Sequence, residues 1–181
     1  MEVQEKMKRE MTSYQVGVSA EAFAAALFAR AGFHVSVQYG ANQPGYDLIV
    51  EKDKCSLLIS VKGSQDGGWG LTQNHIHNAN YHQAVDSWLE KHGEQIVFCF
   101  VQFAGTNLMD MPAVFLATST EVATQLKNSR GGLGDTILHM QKTMKAGKAA
   151  GCIENIPEEW RFSKERIEFL YSQVFSKQYG I

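Results

Sequence analysis

The period of the apolar positions changes several times along the chain, and each change marks an element. Residues 1–16 are polar and of mixed charge, which suits a frayed helix or an N-terminal arm. Gly17-Val18-Ser19 breaks that pattern, and Ser19 is placed to cap a helix running to about Arg30. Its interior, with Ala22, Ala24, Ala25 and Ala26 beside Phe23, Leu27 and Phe28, suits a helix pressed closely onto a sheet. Gly32 is a natural stop. Phe33 to Gln38 then alternates apolar and polar residues with period two, as a half-buried strand does. After a Gly- and Pro-containing loop over 39–45, Tyr46 to Glu51 and Cys55 to Val61 read as two more strands, joined by a polar turn at 52–54. The three strands predict an antiparallel meander.

The next stretch, 62–80, carries Gly63, Gly67, Gly68 and Gly70 around Trp69 and predicts a long functional loop. Residues 79–91 place Tyr81, Ala84, Val85, Trp88 and Leu89 on one helical stripe, closed by Gly93. Residues 95–103 and 113–118 are strongly apolar strands. Ser119 or Thr120 starts a short helix to about Lys127. Asp135 caps an expected helix over 136–145, and Ser163 opens a last helix to about Phe175. The order helix, three strands, helix, two strands, helices predicts an α/β fold with a mixed sheet rather than an alternating parallel one. Gly131-Gly132-Leu133-Gly134 follows no strand with the spacing of a dinucleotide-binding turn. The expected organisation is an arm over 1–16, an α/β core over 17–118, and a helical part over 119–181 packed on the same domain.

Composition narrows the function classes. The chain has 181 residues, 44% hydrophobic and 20% charged, enough to bury a core without disulfides or a metal. Cys55, Cys99 and Cys152 form no CxxC pair, which points to a reducing compartment. No apolar run approaches the ~20 residues of a membrane span, and the N-terminus lacks a signal-peptide core, so a cytoplasmic protein without a membrane partner is expected. A net charge of −2 gives no global nucleic-acid signature. Locally, Lys127, Arg130, Lys142, Lys145 and Lys148 outnumber Glu121 and Asp135 by three charges, which suits either a phosphate-tracking face or a solvated helix pair.

The chemistry-bearing residues are Glu21 in the first helix, Asp47 within Pro44-Gly45-Tyr46-Asp47 at the entry to the second strand, and Ser60-Val61-Lys62-Gly63-Ser64-Gln65 at the end of the third. This pattern resembles the PD-(D/E)XK nuclease superfamily, in particular its Holliday-junction-resolvase-like branch, over roughly residues 17–105. The resemblance implies a restriction-endonuclease-like mixed sheet flanked by helices, with a C-terminal helical extension. It implies hydrolysis of phosphodiester bonds in DNA with Mg²⁺ or Mn²⁺. Asp47, Glu21 and the Val61 carbonyl are then the expected metal ligands. Lys62 stands at the attacking water, Ser60 occupies a site-lining position of the family, Gln65 assists orientation, and Gln65 or Asp66 is placed to reach back to the metal from the loop that follows Lys62. A homodimer is also implied, because two strands need two cuts. Ser60 departs from the family pattern, which usually has Glu, Asp or Gln there, and so motivates an alternative: a non-cleaving nuclease-fold protein that binds nucleic acid or a protein partner.

Further residues have two readings each. Trp69 is a hydrophobic plug or, with Lys127, Arg130, Lys142 and Lys145, a nucleic-acid contact that stacks on a base. His75, His77 and His82 match no zinc spacing and read as polar loop residues or phosphate contacts. Trp160 reads as a packing anchor at a helix entry.

Overall fold

The computed structural model of the chain describes residues 11–38, 45–53, 55–76, 80–93, 95–145, 147 and 149–179. Its elements are α1 (Ser13–Arg30), β1 (His34–Val37), β2 (Leu48–Lys52), β3 (Cys55–Ser64), β4 (Gly68–Gly70), α2 (Tyr81–His92), β5 (Ile96–Gln102), β6 (Ala113–Thr118), α3 (Ser119–Gly132), β7 (Ile137–His139), β8 (Gln141–Thr143), β9 (Ile153–Asn155) and α4 (Lys164–Tyr179). One five-stranded sheet has the order β1-β2-β3-β5-β6. β1, β2 and β3 form the expected antiparallel meander. β5 then pairs parallel to β3, with Val61 opposite Cys99, and β6 closes the sheet antiparallel to β5. The sheet is therefore mixed, with α2 in the crossover between its two parallel strands.

Both faces of this sheet are covered. On one, Ala20, Ala24 and Phe28 of α1 and Ile167 and Leu170 of α4 pack on Leu48, Val50, Leu57, Ile59 and Val61. On the other, Val85 and Trp88 of α2 and Val122 and Leu126 of α3 cover Phe98 and Phe100. β5 lies between the layers, and all seven of its residues are buried, which explains its unbroken apolar sequence. The alanines of α1 let the helix come close: a Cβ built on Gly63 would meet Val16 Cγ1 at 2.8 Å, Ala20 Cβ at 2.9 Å and the Val16 carbonyl oxygen at 2.9 Å.

Three expectations need correction. First, α1 begins at Ser13, not after Ser19. Thr12 is the N-cap, its Oγ1 accepting from the Gln15 N–H at 3.3 Å while Gln15 Oε1 accepts from the Thr12 N–H at 2.9 Å. The glycine at 17 is tolerated because this reciprocal cap and the packed face outweigh its propensity cost of ~1 kcal/mol. Of the segment read as a frayed helix or an arm, residues 1–10 lie outside the described residues and 13–16 form the first turn of α1. Second, 62–80 is not all loop: β3 continues to Ser64, and β4 pairs with β7, Trp69 opposite Leu138. Third, no helix follows Asp135. Its Oδ1 accepts from the Thr136 N–H at 2.7 Å and the Ile137 N–H at 3.3 Å, but the chain then extends into β7 and β8. The segment after 119 thus adds three short strands to its helices. The loop over 39–44, His77 and Lys148 lie outside the described residues.

The close approach at Gly63 makes a direct prediction. Gly63→Ala should destabilise the fold by about 1–3 kcal/mol, because its contacts include backbone and short, stiff side chains. Denaturant unfolding measures this; an unchanged midpoint would show that α1 sits farther from β3 than described.

Candidate functional site

β3 outruns β2 by several residues, and this offset creates the site. The ladder between them ends where the Asp47 N–H donates to the Ile59 carbonyl at 2.8 Å. Asp47 is also held from β1, since its carbonyl accepts from the Gln38 N–H at 2.9 Å. Beyond this point no strand among the described residues pairs with the β2 side of β3. The Val61 N–H would be left without a ladder partner, and the Asp47 side chain takes that place, Oδ2 accepting from it at 2.6 Å. The Ser60 hydroxyl, on a residue 2% exposed, donates to the same Oδ2 at 3.4 Å. In extended backbone the N–H and C=O of one residue point to the same side. The Val61 carbonyl therefore faces off the same open edge as its N–H, while the Ser64 carbonyl faces β5 and accepts from the Phe103 N–H at 2.8 Å.

Glu21, on the border of the buried α1 stripe, belongs to the same electrostatic unit. Burial and then the Asp47 charge raise its carboxyl above the ordinary value, and Lys62 opposes them. Asp47 just ahead of β2, Glu21 of α1 and Lys62 of β3 thus share one electrostatic neighbourhood, with Ser60 and Val61 bonded directly to Asp47. Ser60 is here a donor that fixes the carboxylate rather than a substitute for one. A cleft of about 320 Å³ begins at Lys62 and is walled by Val16 and Gly17 of α1, Ser64 and Gln65 beyond Lys62, and Trp69 of β4.

Other expected site residues sit elsewhere. Gln65 does not turn toward Asp47. Its Oε1 accepts from the Met11 N–H at 3.0 Å and its Nε2 donates to the Met11 carbonyl at 2.7 Å, so it latches the chain ahead of α1 to the exit of β3. Asp66 is held by its own turn, with Oδ1 accepting from Ser64 Oγ at 2.8 Å and from the Gly68 N–H at 3.3 Å. Trp69 is 3% exposed, its ring 5.2 Å from that of Phe100. It is the plug of the second core, and no base can stack on it while β4 stays paired. Lys127 forms an ion pair with Asp86 at 2.5 Å. Arg130 lies over the Tyr81 ring at 5.3 Å, and Lys142 Nζ is 2.9 Å from His139 Nε2. Lys145 is exposed. Three of the four basic groups are therefore engaged locally. His82 Nε2 contacts the Gly132 carbonyl at 3.0 Å, and Trp160 is 3% exposed, the anchor it was expected to be.

His92, at the end of α2, packs its ring on Trp88 at 4.7 Å and Phe98 at 5.5 Å. Burial lowers its pKa first, and the charges of Lys62, Lys91 and His75 push the same way against a hydrogen bond to the Trp88 carbonyl. That bond, 2.8 Å from Nδ1, makes Nδ1 the protonated nitrogen and Nε2 the basic one.

No protein-family model and no curated protein matches the chain. Among solved structures, the bacterial homing endonuclease I-Ssp6803I is similar over 95% of this chain and 100% of its own, at 12% identity and a TM-score of 0.49. No described helix is long and apolar enough to cross a membrane.

The raised pKa of Glu21 gives a signed prediction. The folded state binds this proton more tightly than the unfolded state, so an ionised Glu21 costs stability as pH rises through its folded pKa, and costs nothing well below 4.5. Glu21→Gln should therefore be more stable than wild type at pH 8, with the gain vanishing in acid. Thermal melts across pH check this, and a gain independent of pH would contradict it.

Proposed function

We propose that this protein is a divalent-metal-dependent nuclease of the PD-(D/E)XK superfamily that hydrolyses phosphodiester bonds in DNA. The observation that carries the reading is the Asp47 carboxylate seated on the Val61 N–H at the edge of β3, with Glu21 in electrostatic reach of both Asp47 and Lys62. The element order supports it as well: a helix, a three-stranded meander, a helix, and a strand returning parallel to the third.

The residues fit Mg²⁺ or Mn²⁺, hard ions that take oxygen ligands. Asp47 and Glu21 supply two carboxylates in mutual repulsion, which an added cation relieves, and the Val61 carbonyl faces off the same edge. These three groups would hold the ion. When bound, it supplies charge neutralisation at the phosphate and acidifies water. The protein's own groups do the rest. Lys62 brings a positive charge to the scissile phosphate and orients the attacking water. The Val61 N–H and the Ser60 hydroxyl fix the Asp47 carboxylate before substrate arrives, so no reorganisation is needed during the reaction. A homodimer is the form in which two such sites would meet two strands.

A non-cleaving DNA- or protein-binding protein on the same fold is the second reading. Ser60 favours it, because the site has one carboxylate fewer than the family pattern carries.

Purified protein with Mg²⁺ or Mn²⁺ should cut plasmid or branched DNA. Asp47→Asn and Lys62→Ala, with unchanged circular dichroism, should lose roughly 10²-fold or more of that activity. Wild-type protein that binds DNA but cuts no form of it with either ion would reject the nuclease in favour of the second reading.

A further inference from the structure

A second ligand cluster lies on the C-terminal strands, on residues outside the proposed nuclease site. Asp135 follows α3, His139 ends β7, and Glu154 is the middle residue of β9. One ligand atom from each lies within 4.8 Å of the other two. Both carboxylates are buried, Asp135 at 9% and Glu154 at 8% exposure.

Each acid is clamped by backbone on one oxygen only. Asp135 Oδ1 takes the N–H groups of Thr136 and Ile137, and Glu154 Oε1 takes the Arg130 N–H at 2.6 Å. The other oxygens are left over. Asp135 Oδ2 has His139 Nε2 at 4.0 Å, and Glu154 Oε2 is buried with no hydrogen-bond partner among the described residues. A buried carboxylate oxygen without a donor is an expensive feature to retain, and a second carboxylate beside it raises the cost. Lys142 does not relieve it. Its ammonium, a donor only, sits 2.9 Å from His139 Nε2, and no described ion pair joins it to either acid. That contact makes Nε2 the unprotonated nitrogen, so the imidazole is neutral, the form that binds metal.

We propose that Asp135, His139 and Glu154 form a binding site for a divalent transition-metal ion of the zinc class, with its fourth position left to water. Two carboxylate oxygens and one imidazole nitrogen suit Zn²⁺ better than Mg²⁺, which prefers oxygen alone. The flexible Lys142 head leaves Nε2 when the ion enters. The site joins the kinked end of α3, through the Arg130 backbone on Glu154, to β7 and β9. β7 in turn pairs with β4, whose Gly68, Trp69 and Gly70 wall the cleft beside Lys62. The ion thus braces one side of that cleft whether or not the Asp47 site cuts DNA.

The full chain, stripped with chelator, is titrated with Zn²⁺ by calorimetry and melted with and without it. Co²⁺ serves as an absorbing substitute. Asp47→Asn removes the nuclease-site carboxylate and should keep one Zn²⁺ equivalent and a Zn²⁺-dependent rise in Tm. Glu154→Gln and His139→Gln should each weaken Zn²⁺ binding at least 10-fold and lose that rise, whereas Lys142→Ala should tighten it. If the ligand variants do not fold, wild-type protein still decides the matter, because Zn²⁺ should shift the His139 ring resonances and Co²⁺ should give tetrahedral d–d bands. Wild type with no Zn²⁺-dependent Tm rise, loss of all Zn²⁺ binding in Asp47→Asn, or unmoved His139 resonances would overturn the site. Failure to cut DNA would bear only on the nuclease reading.

Discussion

The arrangement at the sheet's edge depends on one hydrogen bond, from the Val61 N–H to Asp47 Oδ2 at 2.6 Å. β3 has ten residues and β2 five, so some of the backbone of β3 must find partners other than β2. Buried backbone donors are rarely left unsatisfied. A carboxylate placed one residue before β2 meets this need, since it sits at the last ladder bond and its side chain reaches the next donor on the longer strand. The same bond orients the carboxylate and leaves the strand edge open beside it. A fold requirement and the chemistry proposed for the site thereby meet in one residue.

Around that bond, stability and chemistry pull in opposite directions. Glu21 is held in a partly buried position where Asp47 repels it and Lys62 attracts it. Acidic groups with raised pKa values next to a cleft often mark functional sites, because a fold gains nothing from the repulsion itself. The surrounding packing supports the strained centre. Gly63 lets α1 lie against β3, the Gln65 amide fastens the start of α1 to the exit of β3, and Trp69 closes the core beneath β4. These contacts fix α1 against β3 and so set where Glu21 lies relative to Asp47.

Much of this was legible in the sequence. The meander, the buried β5 and the stripe of α2 followed from period two, from an unbroken apolar run and from helical spacing, all of which report burial directly. Glu21, Asp47 and Lys62 were singled out by a resemblance in residue pattern, and the fold puts Glu21 in electrostatic reach of the other two. What escaped depends on contacts made after folding. Gln65 was expected in the chemistry, but its amide meets both backbone groups of Met11, a partner 54 residues away. Trp69 sits among glycines, yet β4 exists only because β7 pairs with it. Asp135 carries a helix-capping signature, but its accepted N–H groups lead into a strand, since local capping chemistry does not decide what the chain does two residues later. The start of α1 was missed because Gly17 reads as a breaker, while the cap at Thr12 lies five residues earlier.

The most direct test of the central claim is the anomalous diffraction of manganese in crystals soaked with Mn²⁺. The account predicts a peak between the carboxylates of Asp47 and Glu21, within bonding distance of the Val61 carbonyl oxygen. Crystals in which those carboxylates are ordered as described and no manganese lies between them would contradict it.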